Sequence, residues 1–228
     1  MGSTDHAGVY QSTDRLLSPN INRQTLTYSK LSLGILASGN GSNFEAIMAA
    51  IDRAELNAEV NVVICNNPDA NVLKKAAHRD IPTILLNHRE FESRVALDHA
   101  IVNALTAHGV DWVIMAGWMR RVTEHLISAF TGRLLNIHPS LLPSFPGLHA
   151  VRQALDANVT IAGCTVHHVE LVIDSGPIIM QAAVPVLPTD TEASLQARIQ
   201  VQEHLIYPAA IALAAHRQTI GQSAMPSY

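Results

Sequence analysis

From Leu31 onward the chain alternates short apolar runs with amphipathic segments, and this alternation restricts the fold more than any other feature. LSLGILAS, from Leu31, has the composition of a strand buried on both faces, and NFEAIMAAIDRAEL after it has helical spacing. EVNVVIC and NVLKKAAHR repeat the pair. PTILL and a helix from about Phe91 to His108 follow, then WVIMAG and TEHLISAF, and LLNI ends the series. Apolar strands separated by helices build βαβ units and a parallel sheet. Beyond a proline-rich loop, a helix near Ala150–Asn158 precedes IAGCTVHHVE and PIIMQAAVPV, two longer strands expected to lie antiparallel at one edge. A helix from about Glu192 to His216 closes the unit. The expected fold class is α/β, a single domain with a mostly parallel twisted sheet, flanking helices and an antiparallel edge. Ligands of such sheets sit at the carboxyl ends of strands.

Hydrophobic residues make up 48% of the 228 and charged residues 15%, which supports a sizeable core. Residues 1–30 and 218–228 are polar and aperiodic and are expected to be loose tails around a domain spanning 31–217. A net charge of −4 without a basic stripe argues against nucleic acid as a partner. A small anion remains possible, because local geometry can bind one whatever the net charge. Cys65 and Cys164 lie far apart, which suits a reducing compartment. The histidines show neither H-x₃-H nor H-E-x-x-H spacing, so no metal site is expected. The first twenty residues hold no apolar signal core. LIYPAAIALAA, at about 11 residues, falls well short of the roughly 20 needed to span a membrane.

Three places carry candidate chemistry. ASGNGSNFEAI joins the first strand to the first helix. It lacks the Gly-Lys-Ser/Thr ending of a P-loop, and Phe44 stands where a dinucleotide fingerprint has its third glycine. Ser42 and Glu45 have capping-box spacing, which leaves Gly39, Asn40, Gly41 and Asn43 unexplained. Bare N–H groups at a helix start attract anions, so the turn suits a mononucleotide-type phosphate; a plain turn with a cap is the other reading.

LLNIHPSLLPSFPG places Asn136 and His138 two apart at the end of a strand, so both project from one face. Two N–H donors aimed at one oxygen make an oxyanion site, and an imidazole can also move a proton. The alternative is a histidine and an asparagine that satisfy loop carbonyls. Asp174, in VIDSGPII, either shapes its turn or lies against His138, where its charge would favour the imidazolium. In the last helix Leu195, Ile199, Glu203 and Ile206 form one stripe, so Glu203 interrupts a core-facing side. It needs an internal partner, a slightly rotated helix or a ligand. In His167-His168 the two rings face opposite sides of a strand, so only one points inward. Trp118 and Met119 read as loop packing, and Arg120 and Arg121 as solvated or bound to acidic groups.

Taken together, ASGNGSNFEAI, MAGWMRRV, LLNIHPSLLPSFPGLHA, IDSGPII and VQEHLIYP resemble the phosphoribosylglycinamide formyltransferases of purine synthesis. The likeness runs from about Leu31 to Arg217 and implies a formyltransferase-type fold, with 31–130 as a mononucleotide-binding half and 131–217 as a folate and catalytic half. It implies transfer of a formyl group from 10-formyltetrahydrofolate to the amine of phosphoribosylglycinamide, in the cytoplasm and without a metal. The partners are small molecules, not nucleic acid or membrane, and the protein is a monomer or homodimer. By the same resemblance Asn136, His138 and Asp174 are the catalytic trio, acting on a tetrahedral intermediate that Asn136 and His138 stabilise. Gly41, Ser42 and Asn43 bind the substrate phosphate, and Gln200, Val201, Gln202 and Glu203 the rest of the substrate. Arg94, Met119, Arg120, Arg121, Val122 and Asn136 contact the folate, with Glu170, Leu171, Val172, Ile173 and Asp174 as the loop holding its pterin. Trp118 replaces a smaller aromatic residue, and Val172 and Ile173 make the folate loop unusually apolar. Formyltetrahydrofolate hydrolase, methionyl-tRNA formyltransferase and a silent nucleotide- or folate-binding module are the competing readings.

Overall fold

The computed structural model describes residues 16–221. Within them β1 (Leu17–Ser18), β2 (Leu31–Ala37), β3 (Ala58–Cys65), β4 (Thr83–Leu85), β5 (Trp112–Met115), β6 (Leu134–His138), β7 (Ile161–His168) and β8 (Ile178–Pro185) form one sheet in the order β1-β8-β7-β6-β5-β2-β3-β4. The strands from β2 to β6 pair in parallel, whereas β7, β8 and β1 add antiparallel. This is the expected α/β class with its antiparallel edge.

The chain order puts the site where it is. After β2 the strands step outward through β3 to β4, and then β5 returns to the other side of β2. The loops leaving β2 and β5 therefore diverge, and a crevice opens at the strand carboxyl ends between them. The two loops still touch at their base, where the Ser38 N–H donates to Gly117 O and the Met119 N–H to Ser38 Oγ.

The helices are α1 (Ser42–Asp52), α2 (Asn71–Ala77), α3 (Arg94–Ala107), α4 (Glu124–Ala129), α5 (Ala150–Asp156) and α6 (Glu192–Thr219). Alternation along each strand feeds two cores. Leu33 and Ile35 pack with Phe44, Ile47, Ile199 and Tyr207 on one face. Leu36 and Ile64 pack with Ile101, Leu105 and Leu126 on the other. Tyr207 is fully buried, and its hydroxyl lies 3.0 Å from Met115 O and 3.2 Å from Leu135 O, which ties α6 to β5 and β6.

Local chemistry moves several boundaries. The helix expected from Phe91 starts at Arg94, because Ser93 caps it by accepting from the Ala96 N–H and a 3-10 turn fills His88–Glu90. The last helix runs on to Thr219. Part of the segment 1–30, expected to be a loose tail, is held against the domain. Leu17 and Ser18 pair with Ala182 and Gln181 on β8, and Leu17, Ile21, Leu26 and Tyr28 pack against the core. Their spacing follows neither a helix nor a strand, because the segment wraps around other elements. Residues 1–15 and 222–228 lie outside the described residues.

Gly163 lies on β7 beside the Ala182 carbonyl of β8. A Cβ there would sit 2.0 Å from Ala182 O and 2.8 Å from Leu141 Cδ2. Gly163→Ala is expected to destabilise the fold by about 1–3 kcal/mol through forced backbone displacement. In urea unfolding this appears as a lower midpoint with an unchanged slope; an unchanged midpoint would show that the pairing yields freely.

Candidate functional site

The glycine turn is built by backbone, not by a side-chain cap. Gly41 takes φ 76° at the N-cap of α1, and a Cβ there would lie 2.8 Å from Val72 Cγ2. Both the left-handed conformation and the close approach of α2 require glycine. The capping box expected from Ser42 and Glu45 does not form, because α1 begins one residue earlier than that pattern assumes, with Gly41 at the N-cap. Ser42 Oγ instead accepts from Gln200 Nε2 (2.9 Å), and Glu45 pairs with Lys75 (2.7 Å). No side chain of the turn caps the N-terminal amides of α1, so they are left to serve an anion.

Glu203 is 5% exposed and interrupts the buried stripe as its spacing foretold. Its partner is internal. Asn43, 7% exposed, donates from Nδ2 to Glu203 Oε2 at 3.0 Å. An amide satisfies a carboxylate without neutralising it, so burial pushes the Glu203 carboxyl above its usual range and the Asn43 bond only partly opposes this. Asn43 Oδ1 has no protein partner.

At the carboxyl end of β6, Asn136 and His138 share a face as expected, but they do not converge on one point. Asn136 Nδ2 lies 3.2 Å from His167 Nε2. His138 is 6% exposed; its Nε2 faces Phe145 O at 2.9 Å and its Nδ1 faces Asp174 Oδ2 at 3.3 Å. A carbonyl and a carboxylate are both acceptors, so the ring satisfies both only when both nitrogens carry hydrogen. Asp174 sits in the left-handed region at φ 53°, a conformation that Asp tolerates better than most residues. Its Oδ2 also accepts from the Gly147 N–H (2.8 Å), and Oδ1 lies 3.6 Å from His167 Nε2. Burial opposes ionisation of Asp174, but the His167 ring, the Gly147 N–H and His138 outweigh it and hold the carboxyl below its usual range.

These groups line one cleft of about 1380 Å³. Gly41, Ser42 and Asn43 form one end, with Gln200 and Glu203 beside them. Val201 and Gln202, expected at the same place, do not line it. Positions 200 and 203 are three apart and share a helix face, while 201 and 202 turn away, and Val201 is exposed. Arg94, Met119, Arg120, Arg121 and Val122 line the opposite side, and Asp98, one turn after Arg94, accepts from the Thr123 N–H and steadies that loop. Glu170, Leu171 and Ile173 line the cleft with Asp174, whereas Val172 points outward and is 69% exposed. Trp118, read as loop packing, is buried in the core and also lines the cleft. Among the described residues no group of three or more His, Cys, Asp or Glu side chains is placed to hold a metal ion, and no helix is long and apolar enough to cross a membrane.

The sequence reading left His167 unassigned. It is 2% exposed, its Nδ1 faces the His168 carbonyl (2.8 Å), and its Nε2 faces Asn136 and Asp174. Its neighbour His168 is also largely buried, and burial, then the charges of His167 and Arg217, push its ring down to about 4. Strand alternation alone predicted one inward ring and could not say which one met Asp174. Gln196 and Glu192, one and two turns before Gln200, also line the cleft and were missed; their i−4 and i−8 spacing was the available signal.

A formyl transferase family model matches residues 32–211. Phosphoribosylglycinamide formyltransferase of Bacillus subtilis is 41% identical over 177 residues, which cover 78% of this chain and 91% of that protein. Trifunctional purine biosynthetic protein adenosine-3 of Drosophila pseudoobscura pseudoobscura is 43% identical over 195 residues, 85% of this chain, but the match spans only 14% of that longer protein. Among solved structures, glycinamide ribonucleotide transformylase 1 from Symbiobacterium toebii superposes with a TM-score of 0.80 at 47% identity, covering 82% of this chain and 88% of the other.

The Glu203 carboxyl, raised in the folded state, binds its proton more tightly there than in the unfolded chain. Its contribution is therefore fully favourable below the unfolded value and is lost as pH rises through the folded one. Glu203→Gln removes that loss while keeping an acceptor for Asn43. The melting temperature of the variant is expected to match wild type near pH 4 and to exceed it increasingly toward pH 8. A difference that does not vary with pH would contradict the buried carboxylate.

Proposed function

The chain belongs to the formyl transferase family, and on that premise we propose that it transfers a formyl group from 10-formyltetrahydrofolate to the amine of phosphoribosylglycinamide, a step of purine biosynthesis. The observation that carries this reading is the Asp174 carboxylate 3.3 Å from the His138 ring, on the wall of a cleft that has an anion cradle at one end. The cleft's chemistry suits the two molecules. The turn at Gly41–Asn43 offers amides to a ribose phosphate, and Glu203 with Gln200 offers polar groups to its hydroxyls and amine. Met119, Val122, Leu171 and Ile173 offer apolar surface for a flat heterocycle, and Arg94 supplies a cation for a carboxylate tail. On this reading the ribonucleotide lies on the side of α1 and α6 and the folate on the side of the β5 loop.

The folate supplies the formyl carbon and a nitrogen leaving group; the protein's part is electrostatic and proton-handling. The Asn136 amide and the His138 Nε2–H are the donors for the formyl oxygen as the amine adds and charge develops on it. In the structure both are occupied, Asn136 by His167 and His138 by the Phe145 carbonyl. A substrate oxygen therefore takes the His138 donor by displacing the Phe145 carbonyl. Asp174 compensates positive charge on the His138 ring and orients it through Nδ1. His167 orients the Asn136 amide from behind and completes the setting of Asp174. A proton released by the attacking amine can pass by this carboxylate to the departing folate nitrogen. The protein is expected to act in the cytoplasm, on small molecules, as a monomer or homodimer.

One assay tests the reading: folate deformylation followed with and without phosphoribosylglycinamide. Transfer that depends on the ribonucleotide supports it. Deformylation independent of the ribonucleotide assigns a hydrolase instead, and no turnover leaves a binding module. Within the active protein, His138→Ala is expected to lower kcat by about 10²–10³ with the fold intact, the usual loss for one oxyanion donor. Gly41→Ala, which strains the turn against Val72, is expected to raise KM for the ribonucleotide more than KM for the folate. Equal effects on both would argue against a separate phosphate pocket.

A further inference from the structure

The segment from Leu16 to Lys30 precedes the region matched by the family, which begins at residue 32, yet it is fastened to the elements that carry the proposed ribonucleotide site. Its central contact is Arg23. One guanidinium nitrogen, Nη1, pairs with Glu55 Oε2 at 2.9 Å, and the other, Nη2, donates to Leu205 O at 3.0 Å. Glu55 follows α1 and is held from its own turn by Arg53 (Nε to Oε1, 2.8 Å). Leu205 lies on α6, two residues after Glu203.

The position on α6 matters because Pro208 lies inside that helix. Proline has no N–H for the carbonyl four residues earlier, His204, and its ring presses on the same turn. The helix is therefore weakest just after the segment that bears Gln200 and Glu203, and the Leu205 carbonyl at that weak turn is the one Arg23 takes. At the site end, α1 and α6 are joined by Asn43–Glu203 (3.0 Å) and Ser42–Gln200 (2.9 Å). Arg23 joins the turn that follows α1 to α6 two residues beyond Glu203. The segment is itself anchored on both sides. Leu17 and Ser18 pair with β8, and the Thr27 N–H lies 3.2 Å from His216 Nδ1 near the end of α6.

We propose that Arg23 is a positioning residue: bridging Glu55 and the Leu205 carbonyl, it clamps the turn after α1 to α6 just before the proline and sets the register of Asn43 and Glu203 at the ribonucleotide end of the cleft. This rests on the functional reading above. The clamp touches no substrate and lies away from the folate flank, so its loss acts on one substrate only. An ion pair that is a third exposed adds little to global stability, which separates clamping from simple stapling of the fold.

The test is steady-state kinetics on the full chain with Arg23→Met, which keeps the apolar stem and removes every donor. KM for phosphoribosylglycinamide is expected to rise about 3- to 10-fold, the range for a residue that tunes a site without touching its ligand. KM for 10-formyltetrahydrofolate and kcat should stay within about twofold, and Arg23→Lys, which can reach one partner but not both, should fall between. A lowered melting temperature with both KM values unchanged, or both raised equally, overturns the proposal and leaves a structural role. If Arg23→Met does not fold, Glu55→Ala takes its place; it keeps the Leu205 bond, removes the acceptor for Arg23 on the α1 side, and should raise the same single KM. Wild-type protein that transfers no formyl group to the ribonucleotide removes the functional reading itself. Normal wild-type transfer with an unmoved KM in the variant removes only the clamp.

Discussion

The site depends on one change of strand direction. β6 pairs in parallel with β5 on one side and antiparallel with β7 on the other. The parallel side brings the carboxyl end of β6 to the common ligand edge of the sheet. The antiparallel side sets Asn136 opposite His167 and His138 opposite Thr165, and the loop leaving β7 then folds back over the same end with Asp174. The contact is local in space because the topology is non-local in sequence.

That contact places a carboxylate with 9% side-chain exposure against a ring with 7%. Removing one partner from such a buried pair leaves a charge uncompensated, at a typical cost of about 3–5 kcal/mol. The surroundings counter this with several small contributions, among them the Gly147 N–H and His167. Glu203 is the contrasting case. It has one neutral donor and no cation, so its burial is offset less completely. The two carboxyls accordingly move in opposite directions, Asp174 down and Glu203 up. A buried carboxylate whose hydrogen bonding is left to one amide is poorly placed for stability and well placed to accept from a ligand, and in the proposed reaction it faces the ribonucleotide.

The scaffold leaves polar capacity open toward the cleft. The first amides of α1 have no side-chain cap, Asn43 Oδ1 has no partner, and His138 Nε2 rests on a loop carbonyl that an incoming oxygen can replace. Rigid elements hold these groups from behind. Tyr207 ties α6 to two strands, Met119 N–H is bound to Ser38, and the segment before β2 binds α6 at its proline turn. Such preorganisation lets donors meet developing charge without reorganising at that moment.

Much of this was legible in the sequence, for identifiable reasons. The alternation from Leu31 determined the parallel sheet, because apolar runs of that length bury both faces only between helices. The two-residue spacing put Asn136 and His138 on one face, and the helical stripe marked Glu203 as buried, because both follow from backbone periodicity alone. Periodicity also overreached, because it assigned a capping box to Ser42 and Glu45 one residue out of phase; among the residues carried over by resemblance, Val201, Gln202 and Val172 do not line the cleft. Only the tertiary structure decided which groups meet. The Asn43–Glu203 contact spans 160 positions and the Arg23–Leu205 contact 182, and nothing in either local stretch encodes the other. Likewise His167 rather than His168 faces Asp174 because the register of β7 against β6 chooses between them. Local sequence specifies which way a side chain points from its own backbone, whereas its partner depends on how distant strands and helices pack once water is excluded.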